Sequence, residues 1–479
     1  MLAVLTGFLM GLSMILVSPV LVLAGLIAIF LLFLLLKLPE LGILSLIALT
    51  STFFSSDANL GFSIGFGHIY LTDILLITLL MWTCIRSLVD PRFKLISTPV
   101  NIPLLAFVFL AFLSTFIAIL QSALTLQQSL GEIRNIANYL LFFGVINLIR
   151  NEKQIRILTN GLLILATLVP MVMIVQYILG SSVHLLPGRV EVLSTEGTSY
   201  SDVTRIIPPG YSLVFVAFIF LSVMLPYGEY KSHRAWLVLP WLLTGIGVLL
   251  TFKRHFWVAA ILIFLLIIYL SKKAELKRII GWGVFALVIS AIGFFFVVSM
   301  AGSKGSDLLG SSTARLASLL DVGTYQDPNS SLRWRDFEYK YALPQIVAHP
   351  LLGMGLGARY RPFIPHRDNA VYDGRGFIHN GHVWIMLKTG LLGYAAMFWL
   401  IITFVVRGLR SWRKLLTPYA RTAVLGFTLA YIGMLIGTIV EPMLIEWRWT
   451  ALLAVIMGLN EAVIQVRRVP EPSVYLTLL

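Results

Sequence analysis

The feature that most constrains this chain is a series of unbroken apolar runs, most of them about 16–25 residues long. A helical run of this length matches the hydrocarbon thickness of a bilayer, whereas barrel strands would alternate apolar and polar residues. Only 12% of the residues are charged, against about 25% in soluble globular chains. The pattern therefore predicts an all-α, polytopic integral membrane protein with about 12–14 transmembrane helices.

The candidate spans lie on either side of one long polar stretch. We expect an N-terminal transmembrane bundle of about 11 spans in residues 1–300, a large external loop in 301–378, and C-terminal transmembrane helices with a cytoplasmic tail in 379–479. The spans are predicted as two short ones in 1–36, which read as an uncleaved anchor, and then at 41–55, 70–88, 100–120, 136–149, 155–179, 211–226, 235–250, 256–270, 279–300, 382–406, 423–440 and 443–459.

The distribution of charge predicts the orientation of the chain. If both termini lie in the cytoplasm, most Lys and Arg residues of the short loops fall on the inner side. The short outer loops then hold only Arg134, Arg189, Arg205, Lys253 and Arg254. Topology therefore accounts for the net charge of +14. Because the basic residues are scattered over many loops, nucleic acid is not an expected partner.

The long polar stretch is rich in aromatic residues, which predicts an ordered loop. Within residues 332–342, Trp334, Phe337 and Tyr341 share one helical face, as in an amphipathic helix at the membrane surface or a helix that packs on the protein. Pro344 is expected to end this helix or to kink it.

Two further features lie in and after this loop. Gly353, Gly355 and Gly357 predict a tight turn that returns the backbone to the membrane, and not a nucleotide site, because no βαβ unit surrounds them. His379, at the start of a span, is a candidate base near neutral pH, although a lone histidine can also be structural. A metal site shared with His382 is disfavoured, because no acidic residue lies at ligand spacing from them, and no metal or cofactor is expected.

Arginines are the second class of candidate. Arg254 lies between two apolar runs, where it is either a cation that snorkels from a helix end or a fixed cation for an anionic substrate. Arg205 precedes a return to the membrane, and as an alternative it is an ordinary loop residue. Glu441, Glu446 and Arg448 form a secondary acid–base or ion-pair set near the last outer turn.

The run from Ser331 to Gly393 resembles the shared C-terminal module of the bacterial O-antigen ligase and O-antigen polymerase families. The resemblance rests on motifs that stand in this order: Arg333-Trp334, Pro350-Leu-Leu-Gly-Met-Gly-Leu-Gly357, His379-Asn380 and Thr389-Gly-Leu-Leu-Gly393. Upstream, Thr251-Phe-Lys-Arg254 and Arg205 with Pro208-Pro209 are similar to further family motifs. Lys253 and His255 stand where the family usually has small residues.

The resemblance implies a fold similar to the C-type glycosyltransferases and a metal-independent, inverting transfer of a glycan from an undecaprenyl (polyprenyl) diphosphate carrier to a sugar hydroxyl. It implies a site on the periplasmic face of the bacterial inner membrane and no cofactor. Arg205 and Arg254 are expected to hold the diphosphate and His379 to act as the base. The further substrate-binding candidates are Arg333, Asn380, Arg359, Arg361 and Lys253.

The acceptor stays open at this stage. A ligase would use lipid A-core, and a polymerase would extend a second carrier-linked glycan; an oligosaccharyltransferase that acts on protein shares the module. A lipid-linked oligosaccharide transporter is disfavoured because no internal repeat is visible and the charges lie at the rim of the spans. The loop residues Arg359, Arg361, His366, Arg367 and Arg375 suggest an acidic donor or acceptor, or else a solvated basic face.

Overall fold

The chain is mostly helical, with two short β-hairpins. The computed structural model describes residues 36–54, 61–64, 67–195, 198–227, 234–273, 275–277, 279–284, 331–365 and 373–466, together with 34, 288, 310 and 368. The predicted spans in residues 1–36, most of the span at 279–300 and the first part of the long loop lie outside the described residues.

The helices and strands follow one another along the chain in a mainly helical order. They are α1 Pro39–Ser51, β1 Gly61–Ile64, β2 Gly67–Tyr70, α2 Leu71–Val89, α3 Asn101–Leu120, α4 Leu126–Ala137, α5 Leu141–Leu148, α6 Glu152–Leu179, β3 Arg189–Thr195, β4 Thr198–Ile207, α7 Tyr211–Tyr227, α8 Arg234–Leu250, α9 Arg254–Leu270, α10 Ser331–Ala348, α11 Gly381–Ser411, α12 Pro418–Gly437 and α13 Trp447–Val466. Single 3-10 turns lie at Asn138–Leu140, Gly374–Gly376 and Trp412–Lys414.

Six of the described helices are long and apolar enough to cross a membrane, which confirms a multi-pass membrane protein of mainly helical architecture. They are α2, α3, α6, α11 with the turn after it, α12 and α13, and four shorter apolar helices accompany them: α1, α7, α9 and Trp236–Leu250. The most apolar window of α13 is 89% buried and that of α2 is 28% buried. Helix α13 therefore lies at the centre of the bundle and α2 at its edge.

Three local predictions are corrected by the structure. Helix α10 continues through Pro344 to Ala348, so the alternative in which Pro344 ends the helix is wrong and the alternative of a kink stays a prediction. The span predicted at 136–149 belongs to a longer helical stretch that begins at Leu126 and passes through a 3-10 turn. The connections between the predicted spans 41–55 and 70–88, and between 155–179 and 211–226, contain strands: β1 pairs with β2 and β3 with β4, both antiparallel.

The glycine-rich turn fits into an interruption of α11. Gly353, Gly355 and Gly357 all have positive φ, as the predicted tight turn requires, and Gly390 inside α11 has φ 66°. The Met354 N–H donates to Leu387 O (2.9 Å) and the Gly355 N–H to Lys388 O (2.9 Å), while Leu391 N–H donates to Pro350 O (2.8 Å). The turn thus takes up backbone groups that the break in α11 leaves without helical partners.

This interlock predicts a large effect of a single methyl group. Gly390→Ala is expected to destabilise the protein by about 1–3 kcal/mol, because the added Cβ would meet the Leu351 carbonyl and alanine disfavours positive φ. Thermal unfolding of the detergent-solubilised protein measures the effect. Gly131→Ala on α4 is the control: nothing lies within 4 Å of its added Cβ, so it should be neutral or stabilising by up to about 1 kcal/mol. Equal melting temperatures for the two variants would contradict the interlock.

The segments that the charge count assigns to the outer side meet at one end of the bundle. Arg205 on β4 donates through Nε to the carbonyl oxygen of Thr251, after α8, at 3.2 Å. Lys253 Nζ lies 2.5 Å from Glu441 Oε1 in the turn between α12 and α13. The start of α11 is fixed to the same turn, since the Gly381 N–H donates to Thr438 O at 2.9 Å. These contacts assemble the candidate site.

Candidate functional site

His379 is held by a buried carboxylate on α10. His379 Nδ1 lies 2.7 Å from Glu338 Oε1, and the His379 backbone N–H donates to Glu338 Oε2 at 3.0 Å. Trp334 Nε1, one helical turn earlier, donates to Glu338 Oε1 at 2.9 Å. The Glu338 side chain is 1% exposed and that of His379 is 36% exposed. Glu338 was not among the site residues predicted from the sequence.

The Glu338–His379 pair shares one proton. Glu338 accepts from two fixed donors, Trp334 Nε1 and the His379 backbone N–H, and an ionised carboxylate can only accept, so in that state the shared proton lies on Nδ1 of His379. The lone pair of Nε2 is then available on a ring that is partly open to solvent. A histidine fixed in this way can take a proton from a hydroxyl group placed at Nε2.

The neighbouring Asn380 caps α11. Its side-chain oxygen accepts from the backbone N–H of His382 (3.0 Å) and Val383 (3.2 Å), and its amide nitrogen donates to Tyr339 Oη on α10 (3.0 Å). Both ends of the amide are therefore engaged in joining α10 to α11, directly after His379. A contact between Asn380 and substrate stays a prediction, and the observed role of this residue is to fix the start of the helix.

Positive side chains from three segments form a group beside this pair. We define the cation cluster as Arg205, Lys253, Arg254 and Arg335. Arg335 lies on α10, three residues before Glu338, and its Nη2 donates to Val440 O at 3.5 Å. Its guanidinium is close enough to Arg254, Glu338 and Glu441 to interact electrostatically with all three.

Glu441 is the main counter-charge of the cation cluster. Lys253 Nζ lies 2.5 and 2.6 Å from its two carboxylate oxygens, and His255 Nε2 lies 3.3 Å from Oε2. Burial alone would raise the pKa of Glu441, but the Lys253 ammonium and the His255 ring hold that pKa well below the usual range. Glu441 is therefore ionised, and the Lys253 charge is largely matched inside the protein.

Arg205 and Arg335 differ from Lys253 in their partners. Arg205 lies 3.3 Å from Glu191 Oε1, and burial lowers the pKa of Arg205 against the opposing effect of that carboxylate. Burial likewise lowers the pKa of Arg335, and its Nε is a buried atom with no hydrogen-bond partner among the described residues. Guanidinium stays charged at any working pH despite such shifts. A buried donor without a partner fits a site that receives an anion.

Arg333 and Arg335 differ in position although both lie on α10. The Arg333 side chain is exposed, whereas Arg335 is partly buried beside Glu338 and the turn at Val440. The substrate contact predicted for Arg333 stays a prediction, and the structure adds Arg335 to the residues near Glu338 and Glu441. The sequence signal was present: Glu338 follows Trp334 by four residues, so the helical face treated as purely aromatic also carries a carboxylate, and Arg335 lies one turn from it.

The loop arginines have carboxylate partners in the loop itself. Arg361 forms two hydrogen bonds with Asp368, at 2.7 and 2.9 Å, and these side chains are 3% and 0% exposed. Arg359 and Arg375 each lie 2.7 Å from Asp373. Two aspartates thus face three arginines, so one positive charge has no carboxylate of its own and the acidic-substrate interpretation stays a prediction. His366 and Arg367 lie outside the described residues. Substrate contacts of Arg359 and Arg361 stay predictions.

The Arg361–Asp368 pair predicts a pH dependence. Hydrogen bonds from Arg361 hold the pKa of Asp368 well below its usual range, so its contribution to stability is fully present above the unfolded pKa of about 3.9 and is lost only as pH falls through the lower folded value. Limited proteolysis of the loop should therefore be equally slow from pH 8 to pH 4.5. Asp368→Asn should accelerate cleavage across that range, whereas Asp336→Asn at an exposed position on α10 should not. Cleavage in the wild type that rises steadily below pH 7 would contradict this role.

A cavity of about 360 Å³ is lined by Phe377, two residues before His379, and by Trp384 and Glu446 among others. Its walls come from α4, the segment from Gly357 to Phe377, the first turn of α11 and the turn before α13. The Phe377 ring meets the His379 ring edge to face, with centroids 5.0 Å apart. On another wall, Glu446 accepts a hydrogen bond from Tyr211 (3.3 Å), whose hydroxyl also donates to Glu441. The cavity therefore touches both the neighbourhood of the base and that of the cation cluster.

Metal ligands do not gather in the part of the chain that the structure describes. No group of three or more His, Cys, Asp or Glu residues there is arranged to hold a metal ion. His382, the alternative ligand weighed with His379, has its Nδ1 3.4 Å from Tyr394 Oη. The metal-free reaction stays a prediction, and the arrangement itself is a histidine–carboxylate pair near fixed cations.

Comparison with known proteins supports the resemblance derived from the motifs. Residues 239–398 match the family model described as O-antigen ligase. The matched region contains Lys253, Arg254, Arg335, Glu338 and His379, and Arg205 lies upstream of it. No curated protein matches the chain. The resemblance to the O-antigen ligase and polymerase superfamily is thereby confirmed.

Proposed function

Residues 239–398 match the family model described as O-antigen ligase, and we propose that the protein is a membrane glycosyltransferase of the O-antigen ligase type. It moves a glycan from undecaprenyl diphosphate to a sugar hydroxyl of lipid A-core, on the periplasmic face of the inner membrane, with both termini in the cytoplasm. The observation that carries this proposal is the juxtaposition of the Glu338–His379 pair with the cation cluster.

The proposed step is an inverting displacement. The acceptor hydroxyl gives its proton to His379 Nε2 as its oxygen attacks the anomeric carbon, and the bond from that carbon to the carrier diphosphate breaks with its electron pair on the diphosphate. Attack opposite the leaving group inverts the anomeric centre. Glu338 keeps Nδ1 protonated and stabilises the imidazolium that forms.

The cation cluster serves the leaving group in this proposal. Negative charge grows on the bridging phosphate oxygen as the glycosidic bond breaks, and fixed guanidinium groups lower the free energy of that transition state. Arg205, Arg254 and Arg335 are assigned to the diphosphate, since Lys253 is already matched by Glu441. The apolar flanks of the spans supply the environment for the polyprenyl chain.

A reconstituted transfer assay in EDTA tests the proposal. Purified protein receives a polyprenyl-diphosphate glycan and one of two acceptors, lipid A-core or a second carrier-linked glycan. A single-step product on lipid A-core is expected. A ladder of products on the carrier would indicate a polymerase and not a ligase. Glycolipid that crosses the bilayer without cleavage of the glycosidic bond would indicate a transporter and contradict both enzymatic assignments. Product that appears only after a divalent metal is added would overturn the role given to the arginines.

A further inference from the structure

The cavity of about 360 Å³ next to His379 has the size of a small-molecule site, since such sites span about 300–1,000 Å³. Its described lining includes the side-chain amides of Gln128 and Asn135, the carboxylates of Glu132, Asp373 and Glu446, and the rings of Phe377 and Trp384. The amide of Asn135 makes no hydrogen bond to any described residue, so its donor and acceptor are available to a ligand. Closely spaced donors and acceptors beside aromatic rings suit a ligand that carries several hydroxyl groups on a compact apolar frame.

The charges of the lining are already matched within the protein. Glu132 accepts from the Gly357 N–H (2.5 Å) and from Lys388 Nζ (3.3 Å). Arg359, the single cation among the described lining residues, lies 2.7 Å from Asp373. Asp373 also pairs with Arg375, at 2.7 Å, but the lining itself holds three carboxylates and one arginine, so an anionic ligand would meet more negative than positive side chains in this wall. The lining therefore favours an uncharged ligand.

The position of the cavity gives the ligand a place in the proposed reaction. Phe377 forms part of its wall and contacts the His379 ring, while Glu446 on another wall shares the Tyr211 hydroxyl with Glu441. A sugar in the cavity would thus lie one residue away from His379, through Phe377, and one residue away from Tyr211 and Glu441, through Glu446. That is the placement that an acceptor requires, since its hydroxyl must reach Nε2 of His379 and the anomeric carbon above the diphosphate.

We propose that this cavity binds the acceptor saccharide and selects an uncharged pyranose, whose hydroxyls are read by the Asn135 amide and the paired carboxylates. The role of the ligand as acceptor rests on the proposed function. The chemical class of the ligand rests on the lining residues alone. Acceptor selection is thereby assigned to α4 and the end of the long loop, away from the arginines assigned to the donor diphosphate.

Three variants of α4 test the assignment by binding and by kinetics. Asn135→Phe fills the cavity, and Gln127→Phe adds the same ring at an exposed position outside its lining. On an array of neutral and uronic-acid oligosaccharides, without donor, the wild type and Gln127→Phe should retain neutral glycans, and Asn135→Phe should lose at least tenfold in retention. In the transfer assay, Asn135→Ala should raise the acceptor KM about threefold to tenfold, with donor KM and melting temperature unchanged.

The outcomes separate the cavity from the proposed function. If neutral glycans bind the wild type and not Asn135→Phe, the cavity is a saccharide site. This holds even if no transfer is found, in which case only the proposed function fails. Transfer with an unchanged acceptor KM in Asn135→Ala and Asn135→Phe overturns the cavity and leaves the function in place. Preferential retention of acidic glycans, or no retention of any glycan by the wild type, also overturns the inference.

Discussion

Replacing His379 by alanine is expected to lower the rate of glycan transfer by about 10²–10⁴-fold while donor binding stays near its original strength. The variant removes the proton acceptor at Nε2 and leaves the cation cluster unchanged. Single-turnover transfer gives the rate, and binding of a polyprenyl diphosphate gives the donor Kd. A rate within threefold of the wild type would rule out His379 as the base.

Glu338→Gln separates positioning from chemistry. The amide can donate to Nδ1 and so favour the other tautomer, which protonates Nε2 and removes the base; the equivalent exchange of Asp for Asn in Ser-His-Asp triads costs about 10⁴ in kcat. We expect a loss of about 10²-fold or more in kcat with little change in donor KM. The ¹⁵N shifts of the His379 ring should report the change of tautomer, which a merely structural role of Glu338 would not produce.

The matched control for both variants is His382→Ala. His382 lies one turn further along α11, and its Nδ1 is 3.4 Å from the Tyr394 hydroxyl. We expect nearly wild-type transfer from this variant. An equal loss in His382→Ala and His379→Ala would indicate that both act through the stability of the start of α11.

Sequence patterns predicted the parts of this molecule that depend on periodicity and composition. The apolar runs predicted the helical, multi-pass architecture, and the motifs at Gly353–Gly357 and His379-Asn380 predicted the turn and the start of α11. These features follow from local backbone preference and from the length of a bilayer span. The two antiparallel strand pairs were missed, because short strands are hard to distinguish from polar loops in a sequence.

Partners that are distant in sequence were the part that could not be predicted. Glu338 lies 41 residues before His379, and Lys253 lies 188 residues before Glu441. The contact that joins each pair depends on how α10 and the turn before α13 pack, and no spacing rule encodes that packing. For the same reason the loop arginines were interpreted as free for substrate, whereas Arg361 is matched by Asp368 inside a folded loop.

Replacing the arginines beside His379 should have the second large effect. Arg254→Ala and Arg335→Ala are each expected to lower kcat by about 10²–10³-fold, because each removes a fixed positive charge from the place where the leaving diphosphate gains negative charge. Lysine at either position should restore only part of the rate, since an ammonium group cannot form the bidentate contact of a guanidinium. Transfer kinetics with varied donor concentration measure both effects.

Neighbouring positions on α10 make this prediction discriminating. Lys340→Ala removes one positive charge at an exposed position of the same helix and should leave transfer unchanged. The loss for Arg335→Ala should exceed that for Arg333→Ala at least tenfold, because the Arg335 side chain lies beside Glu338 and Glu441 and the Arg333 side chain is exposed. A larger loss for Arg333→Ala would return the third arginine to the position chosen from the sequence.

Chemical rescue distinguishes a missing charge from a disturbed fold. Added guanidinium can occupy the space that Arg335→Ala opens near Val440 and restore a cation at the leaving group. We expect it to raise the kcat of this variant about tenfold and to leave His379→Ala unchanged, since a cation cannot accept the hydroxyl proton. Rescue of both variants, or of neither, would contradict the division of the site into a base on α11 and a charged group that stabilises the diphosphate.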